Sequence, residues 1–391
     1  MGEGGPLTAR AAPEPASGGP RPPLAGCRRL VVKVGSGLIT GPATGADQAR
    51  IDALADDIAA VRPGRDVVLV SSGAIVTGMA RLALPQRPQS IPEKQAAAAV
   101  GQSALMWHYE AAFKRHGIAV GQVLLTAQDI ADRARYLNAR NTLTTLLRFG
   151  VLPIVNENDT VAVEEIKVGD NDTLSALVAS LVDADLLVLL TDVDGLYTSD
   201  PRVDAGARKI DTVDAVTDEI ARLVWDRPGL VSVGGMATKL AAARRAAVAG
   251  IPMVIASGRR PGTLPRLLAG EPVGTYFAPR ADRLAARKRW IAFAVPPQGR
   301  LVVDAGAREA LARRGRSLLP SGLVAVEGEF AAGDIVDVVA AGEDREFARG
   351  LVNFDAGECR KILGAKTREL EERLGYRSFD EVIHRDNLVI L

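Results

Sequence analysis

From Arg28 onward, short apolar runs recur along the chain: "LVVKVGSG", "DVVLVSSG", "VGQVLLTAQD", "VLPIVNEND", "DLLVLLTDVDG" and "IPMVIASG". Few polar residues interrupt them, as expected for strands covered on both faces in a parallel sheet. Longer stretches with helical spacing lie between them, Ala49–Val61 and Lys94–Arg115 among them, and these suit crossover helices. The alternation predicts a doubly wound, mainly parallel α/β sandwich. After about Pro296 the pattern changes to short strands, glycine turns and one small helix, with an amphipathic helix expected over Leu363–Leu374. The expected organisation is a tail over residues 1–27, an α/β domain over 28–280 and a basic, proline-flanked linker over 281–297. A small, mostly β domain over 298–375 and a terminal segment over 376–391 complete it.

The polar residues gather just after the apolar runs: Gly35-Ser36-Gly37, Ser71-Ser72-Gly73, Asn156-Glu157-Asn158-Asp159, Thr191-Asp192 and Ser257-Gly258. Every strand ends in a polar turn, so one such cluster says little. Five of them, rich in Gly, Ser and Asn, mark the carboxyl ends of the strands as the ligand side, where open α/β sheets bind.

Composition narrows the function classes. The 391 residues carry a formal net charge of +1, which gives no electrostatic reason to expect nucleic acid or a membrane surface. Cys27 and Cys359 stand far apart without a metal-binding spacing, which suits two reduced thiols in a cytosolic protein. The first 26 residues hold six Gly and six Pro, too little apolar surface to offset ordering, so a disordered tail is expected there. No apolar run approaches the roughly 20 residues of a membrane span.

Lys33 interrupts an apolar strand and precedes the Gly35 turn. A lysine there is costly to bury without an anion, and free backbone amides beside it form a natural phosphate site. The competing reading is an edge strand with Lys33 in solvent. Gly234-Gly235 opens a helix carrying Lys239, a second glycine-plus-lysine element, and two of them suggest a polyphosphate held from both sides. In "VGDNDTLSALVAS", Asp172 is the candidate to hold the two ammonium groups. Asp170 and Asn171 are then left for an amino group or a metal, together with Asp159 of "NENDT". A plain N-cap explains one of these residues but not all of them. The EF-hand pattern fails for want of its glycine and terminal glutamate, and no GxxxxGK[ST] occurs. "HRDN" has its asparagine misplaced for a protein-kinase loop, and no nucleophilic triad is present.

The stretches "VVKVGSGLIT", "VSSGAIVTGM", "QVLLT", "RYLNARNTL", "PIVNENDTVAVEEIKVGDNDTLSALVA", "LLTDVDGLYTSDPR" and "GGMATKL" together resemble the glutamate 5-kinase family, whose fold is that of the amino acid kinases. The C-terminal part resembles a PUA domain. The resemblance spans roughly Arg28 to Asp386. It implies transfer of phosphate from ATP, with Mg²⁺, to the γ-carboxylate of L-glutamate as the first step of proline biosynthesis. It also implies feedback by proline and a homodimer or homotetramer. Lys33 and Lys239 would stabilise the transferring phosphoryl group, with Asp172 organising them. Ser72, Gly73, Asp159, Asn171 and Asp170 would bind glutamate. Lys33, Gly35, Thr191, Asp192 and the loop Val233, Gly234, Gly235, Met236, Ala237, Thr238 and Lys239 would hold ATP, and no protein ligand to the metal is assigned. Val233 stands where members often carry threonine, which leaves the backbone role and removes a side-chain contact. Two alternatives stay open: a same-fold kinase of another acid or nucleotide monophosphate, and an RNA-binding PUA protein. Against the second, residues 299–375 hold 12 Lys plus Arg and 14 Asp plus Glu, the wrong balance for neutralising phosphates.

Overall fold

The computed structural model describes residues 21–41, 45–161, 171–201, 203–223, 235–280, 296–376 and 379–391. They form two compact units, one built on an eight-stranded sheet and the other on a five-stranded sheet.

All six apolar runs become strands of the first sheet: β1 (Arg29–Val34), β2 (Asp66–Ser71), β3 (Val120–Leu125), β4 (Leu152–Glu157), β5 (Leu186–Thr191) and β7 (Met253–Ser257). Two short segments join them, β6 (Thr212–Val213) and β8 (Thr275–Phe277). The order is β6-β8-β7-β5-β1-β2-β4-β3; β7, β5, β1, β2 and β4 run parallel, and β8 runs antiparallel to β7. β1 sits between β2 and β5, with Lys33 opposite Val70 on one side and Leu189 on the other. The chain winds outward from β1 through β2, then returns to β5 on its other side. The crevice at the carboxyl ends of β1 and β5 is therefore the switch point at which such sheets bind ligands.

Helices form where local signals demand them. Helix α1 (Gln48–Val61) is capped by Asp47, whose side chain accepts the Arg50 amide. Helix α3 (Ile91–Lys114) opens with a reciprocal capping box between Ser90 and Glu93. Between β2 and α2 (Ala74–Arg81), Gly73 takes φ +107°, a left-handed turn that favours glycine and brings the chain straight from strand to helix. Helices α2 and α3 cross closely, because a Cβ on Gly101 would lie 1.8 Å from the Ala74 carbonyl oxygen. Leu30, Val32 and Val34 point with Leu190 and Val254 into a core shared with Ile51, Ile58 and Leu264. Lys33, on the alternate face of β1, points the other way.

In the second unit β9 (Gly299–Val303) pairs antiparallel with β10 (Leu323–Gly328) and parallel with β11 (Ile335–Ala340). β12 (Glu346–Leu351) and β13 (Leu388–Ile390) extend the sheet, so the end of the chain supplies a strand. Leu301, Val338, Phe354 and Ile362 fill this unit's core.

Two expectations are corrected. The tail does not run to residue 27: Leu24 is buried in the core of the first unit, and the Arg21 guanidinium donates to the carbonyls of Val273 at 2.8 Å and Gly274 at 3.1 Å. Nor is Leu363–Leu374 one helix. Gly364 adopts φ +64°, and the stretch resolves into a 3-10 turn at Thr367–Glu369 followed by the short helix Leu370–Leu374. The left-handed glycine breaks the helical path. The expected linker lies almost wholly outside the described residues.

Candidate active site

Three elements deliver the charged groups. Lys33 comes from the end of β1, Asp172 from the first turn of helix α4 (Asn171–Leu181), and Lys239 from helix α5 (Met236–Val248). All three are buried, Lys33 at 4% exposure, Lys239 at 6% and Asp172 at 0%. One carboxylate oxygen of Asp172 pairs with the Lys33 ammonium, and the other lies 3.2 Å from Lys239 Nζ. That second oxygen and the Gly235 carbonyl each lie 2.8 Å from the Thr238 hydroxyl and share its single proton. Among the described residues two cations meet one anion in this buried cluster, and an anionic ligand would offset the cost of burying the ammonium groups.

Beside the charges lies a wall of neutral polar groups. Asn171 Nδ2 is within hydrogen-bonding distance of the Ser71 carbonyl at 2.9 Å, Ser72 Oγ at 2.8 Å and Asn156 Oδ1 at 2.9 Å. Asn171 Oδ1 is buried without a partner among the described residues. Behind this wall the Tyr109 hydroxyl lies 2.7 Å from Ser71 Oγ. Burial pushes the Tyr109 phenol far above its ordinary value, outweighing the opposing effect of the Ser71 contact, so it stays neutral.

The remaining expected residues are placed as follows. Gly35 turns the chain directly after β1, and its amide donates to the Leu190 carbonyl at 3.4 Å. Gly73 occupies the left-handed turn after Ser72. Thr191 ends β5, buried, and its hydroxyl donates to the exposed Asp192 carboxylate at 3.0 Å. Asp159 lies half-buried in the turn beyond β4. Gly235, Met236, Ala237 and Thr238 lead into α5. Asp170, Val233 and Gly234 lie outside the described residues. Lys33, Asp172, Lys239 and Thr238 thus form one contact set, and Ser72 and Asn171 an adjoining one. Sequence reasoning quoted Asn156 and Ser71 in their polar clusters without assigning them a part, and it missed Gln102 and Tyr109 on α3 altogether. Nothing in a helix of alanines and apolar residues marked Gln102 as facing the strand ends.

An arrangement of two buried ammonium groups around a carboxylate, at the carboxyl ends of parallel strands beside glycine turns, is suited to neutralising phosphate charge.

Comparison with known proteins identifies the family. Residues 28–257 match the model of the amino acid kinase family, and residues 299–374 match that of the PUA domain. The glutamate 5-kinase of Myxococcus xanthus is 53% identical over 95% of this chain and 98% of its own length. That of Moorella thermoacetica is 52% identical over 94% of this chain and 97% of its own. Among solved structures, the UMP kinase of Bacillus anthracis aligns with a TM-score of 0.46 at 18% identity, covering 65% of this chain and 97% of that one. The chain therefore belongs to the amino acid kinase family, in its glutamate 5-kinase branch, and carries a PUA domain after its kinase region.

Proposed function

We propose that the enzyme transfers the γ-phosphoryl group of ATP to the γ-carboxylate of L-glutamate, forming L-glutamyl 5-phosphate as the first step of proline biosynthesis. The observation that carries this reading is the buried Lys33–Asp172–Lys239 cluster beside the Ser72–Asn171 pair. The acceptor carboxylate is already anionic, so its attack on phosphorus needs no general base, and catalysis reduces to alignment and charge neutralisation. Lys33 and Lys239 meet the charge that spreads over the phosphoryl oxygens. Asp172 keeps their ammonium groups from turning to solvent or to each other's place. Ser72, Gly73, Asn171, Asp170 and Asp159 bind glutamate. Gly35, Thr191, Asp192 and residues 233–239 hold the nucleotide.

Mg²⁺ enters with the nucleotide. Both Asp172 oxygens are engaged by Lys33, Lys239 and Thr238, and no group of three His, Cys, Asp or Glu able to hold a metal occurs among the described residues. Asp172 is thus committed to the lysines and the Thr238 hydroxyl, and Mg²⁺ bound with the nucleotide would add positive charge that neutralises the phosphates. Proline inhibition belongs to the same reading, as does assembly into a dimer or tetramer. Trp107, 61% exposed on α3 one heptad after Val100, supplies apolar surface that supports assembly. No described helix is long and apolar enough to cross a membrane.

The test is ATP- and Mg²⁺-dependent formation of γ-glutamyl hydroxamate from glutamate and hydroxylamine, with and without proline. Hydroxylamine traps the acyl phosphate, so the signal reports transfer to the carboxylate. A glutamate-specific signal suppressed by proline is expected. Phosphorylation of acetylglutamate, aspartate or UMP in its place would overturn the substrate assignment.

A further inference from the structure

The buried amides behind the Ser72–Asn171 pair form a line whose polarity is set by backbone groups. The Glu157 N–H donates to Asn156 Oδ1 at 2.9 Å, and an N–H can only donate, so the oxygen of Asn156 must face it. The Asn156 nitrogen is thereby turned to Gln102, whose Oε1 accepts it at 2.8 Å. At the other end, the Ser71 carbonyl can only accept, and it faces Asn171 Nδ2 at 2.9 Å. Asn156 Oδ1 accepts from the same nitrogen at 2.9 Å. Both partners require a donor, so the Asn171 amide cannot be reversed. Its oxygen is left buried and unpartnered, a state that is costly until an N–H donor arrives.

We infer that Gln102, acting through Asn156, is the positioning residue that holds the Asn171 oxygen toward an ammonium group, and so makes the enzyme select acceptors with a free amine over amine-free dicarboxylates. The inference rests on the proposal that glutamate is the acceptor. Gln102 is 8% exposed and follows Gly101, the residue whose missing side chain lets α3 press against α2. Without the Gln102 oxygen, the Asn156 nitrogen would be a buried donor with no acceptor. Turning it over to find one would set it against the Glu157 N–H and Asn171 Nδ2, donor against donor. The unmet nitrogen drives Asn156 toward that turned state, in which Asn171 loses its support on that side.

The test compares wild type with Gln102→Met, Gln102→Glu and Gln102→Ala, using glutamate and glutarate, which is glutamate without its amine. In Gln102→Met the KM for glutamate should rise about tenfold, the order expected when a hydrogen bond to a charged group is weakened. Turnover and the KM for ATP should change little. The preference for glutamate over glutarate in kcat/KM should narrow by the same factor as the KM rises. Gln102→Glu keeps an oxygen facing Asn156 and should restore the preference, which a merely structural role would not produce. Gln102→Ala gives the same reading if the methionine variant does not fold. A wild-type preference in Gln102→Met or Gln102→Ala overturns the inference while leaving glutamate as substrate. A wild-type enzyme that uses glutarate as readily as glutamate overturns both.

Discussion

Replacing Asp172 by asparagine removes one charge and almost no volume, so the outcome isolates the electrostatics of the cluster. Asparagine can still accept the Thr238 hydroxyl, which now bonds Asp172 at 2.8 Å, so that hydrogen bond is not at stake. What is lost is the anion that pairs with both Lys33 and Lys239, two side chains at 4% and 6% exposure. Unit charges at such separations interact by about 4 kcal/mol at the effective dielectric typical of proteins. Stranding a buried charge by removing its partner costs about 3 to 5 kcal/mol. The kinase region of Asp172→Asn should accordingly unfold at lower urea, by about 3 to 5 kcal/mol in extrapolated stability. MgATP should restore more stability to the variant than to wild type, because phosphate oxygens supply the missing negative charge. Turnover in the hydroxamate assay should fall by roughly 10²-fold, since the ammonium groups lose their fixed positions. A variant with the wild-type urea midpoint and turnover would refute the view that Asp172 holds the two lysines.

Lys33→Ala and Lys239→Ala should each lower turnover by about 10²-fold or more in the hydroxamate assay, the loss seen when one preorganised donor is removed; near-normal turnover would remove that lysine from the mechanism. Gly101→Ala would place a Cβ 1.8 Å from the Ala74 carbonyl oxygen and 2.4 Å from the Gly78 nitrogen. Backbone cannot yield cheaply there, so urea denaturation should show a loss of about 1 to 3 kcal/mol or more. The Cys359 thiol, buried and pushed up to about 12, should resist alkylation at pH 8 until denaturant exposes it. The folded thiol stays protonated where the unfolded one ionises. Its contribution to stability should therefore be complete below about pH 9 and decline as pH rises toward about 12, visible as a slope in urea titrations over that window.

What could be read from the sequence divides along a physical line. The first sheet was legible because strands covered on both faces must be continuously apolar, and all six such runs became strands. β6 and β8, at two and three residues, carry too few positions to show any period. Residues 1–20 lie outside the described ones, but at its end the expected tail gives way for a local reason, a single Arg21 reaching backbone carbonyls some 250 residues away, and one left-handed glycine divides the expected helix.

The site divides in the same way. Lys33 lies 139 residues from Asp172 and Lys239 lies 67, yet their association could be anticipated, because a lysine in a buried strand demands an anion and few are available. No such demand singles out Gln102 and Asn156, which meet across 54 residues. Neutral amides are common, they cap and turn as often as they bind, and their partners are decided by which end of a planar group faces which backbone atom. That choice is made only once α3 packs on α2 at Gly101 and β4 delivers the Glu157 N–H. Charge therefore announces the phosphate side of this site in the sequence, whereas the polarity of the amide line, on which the proposed choice of substrate rests, comes into being with the fold.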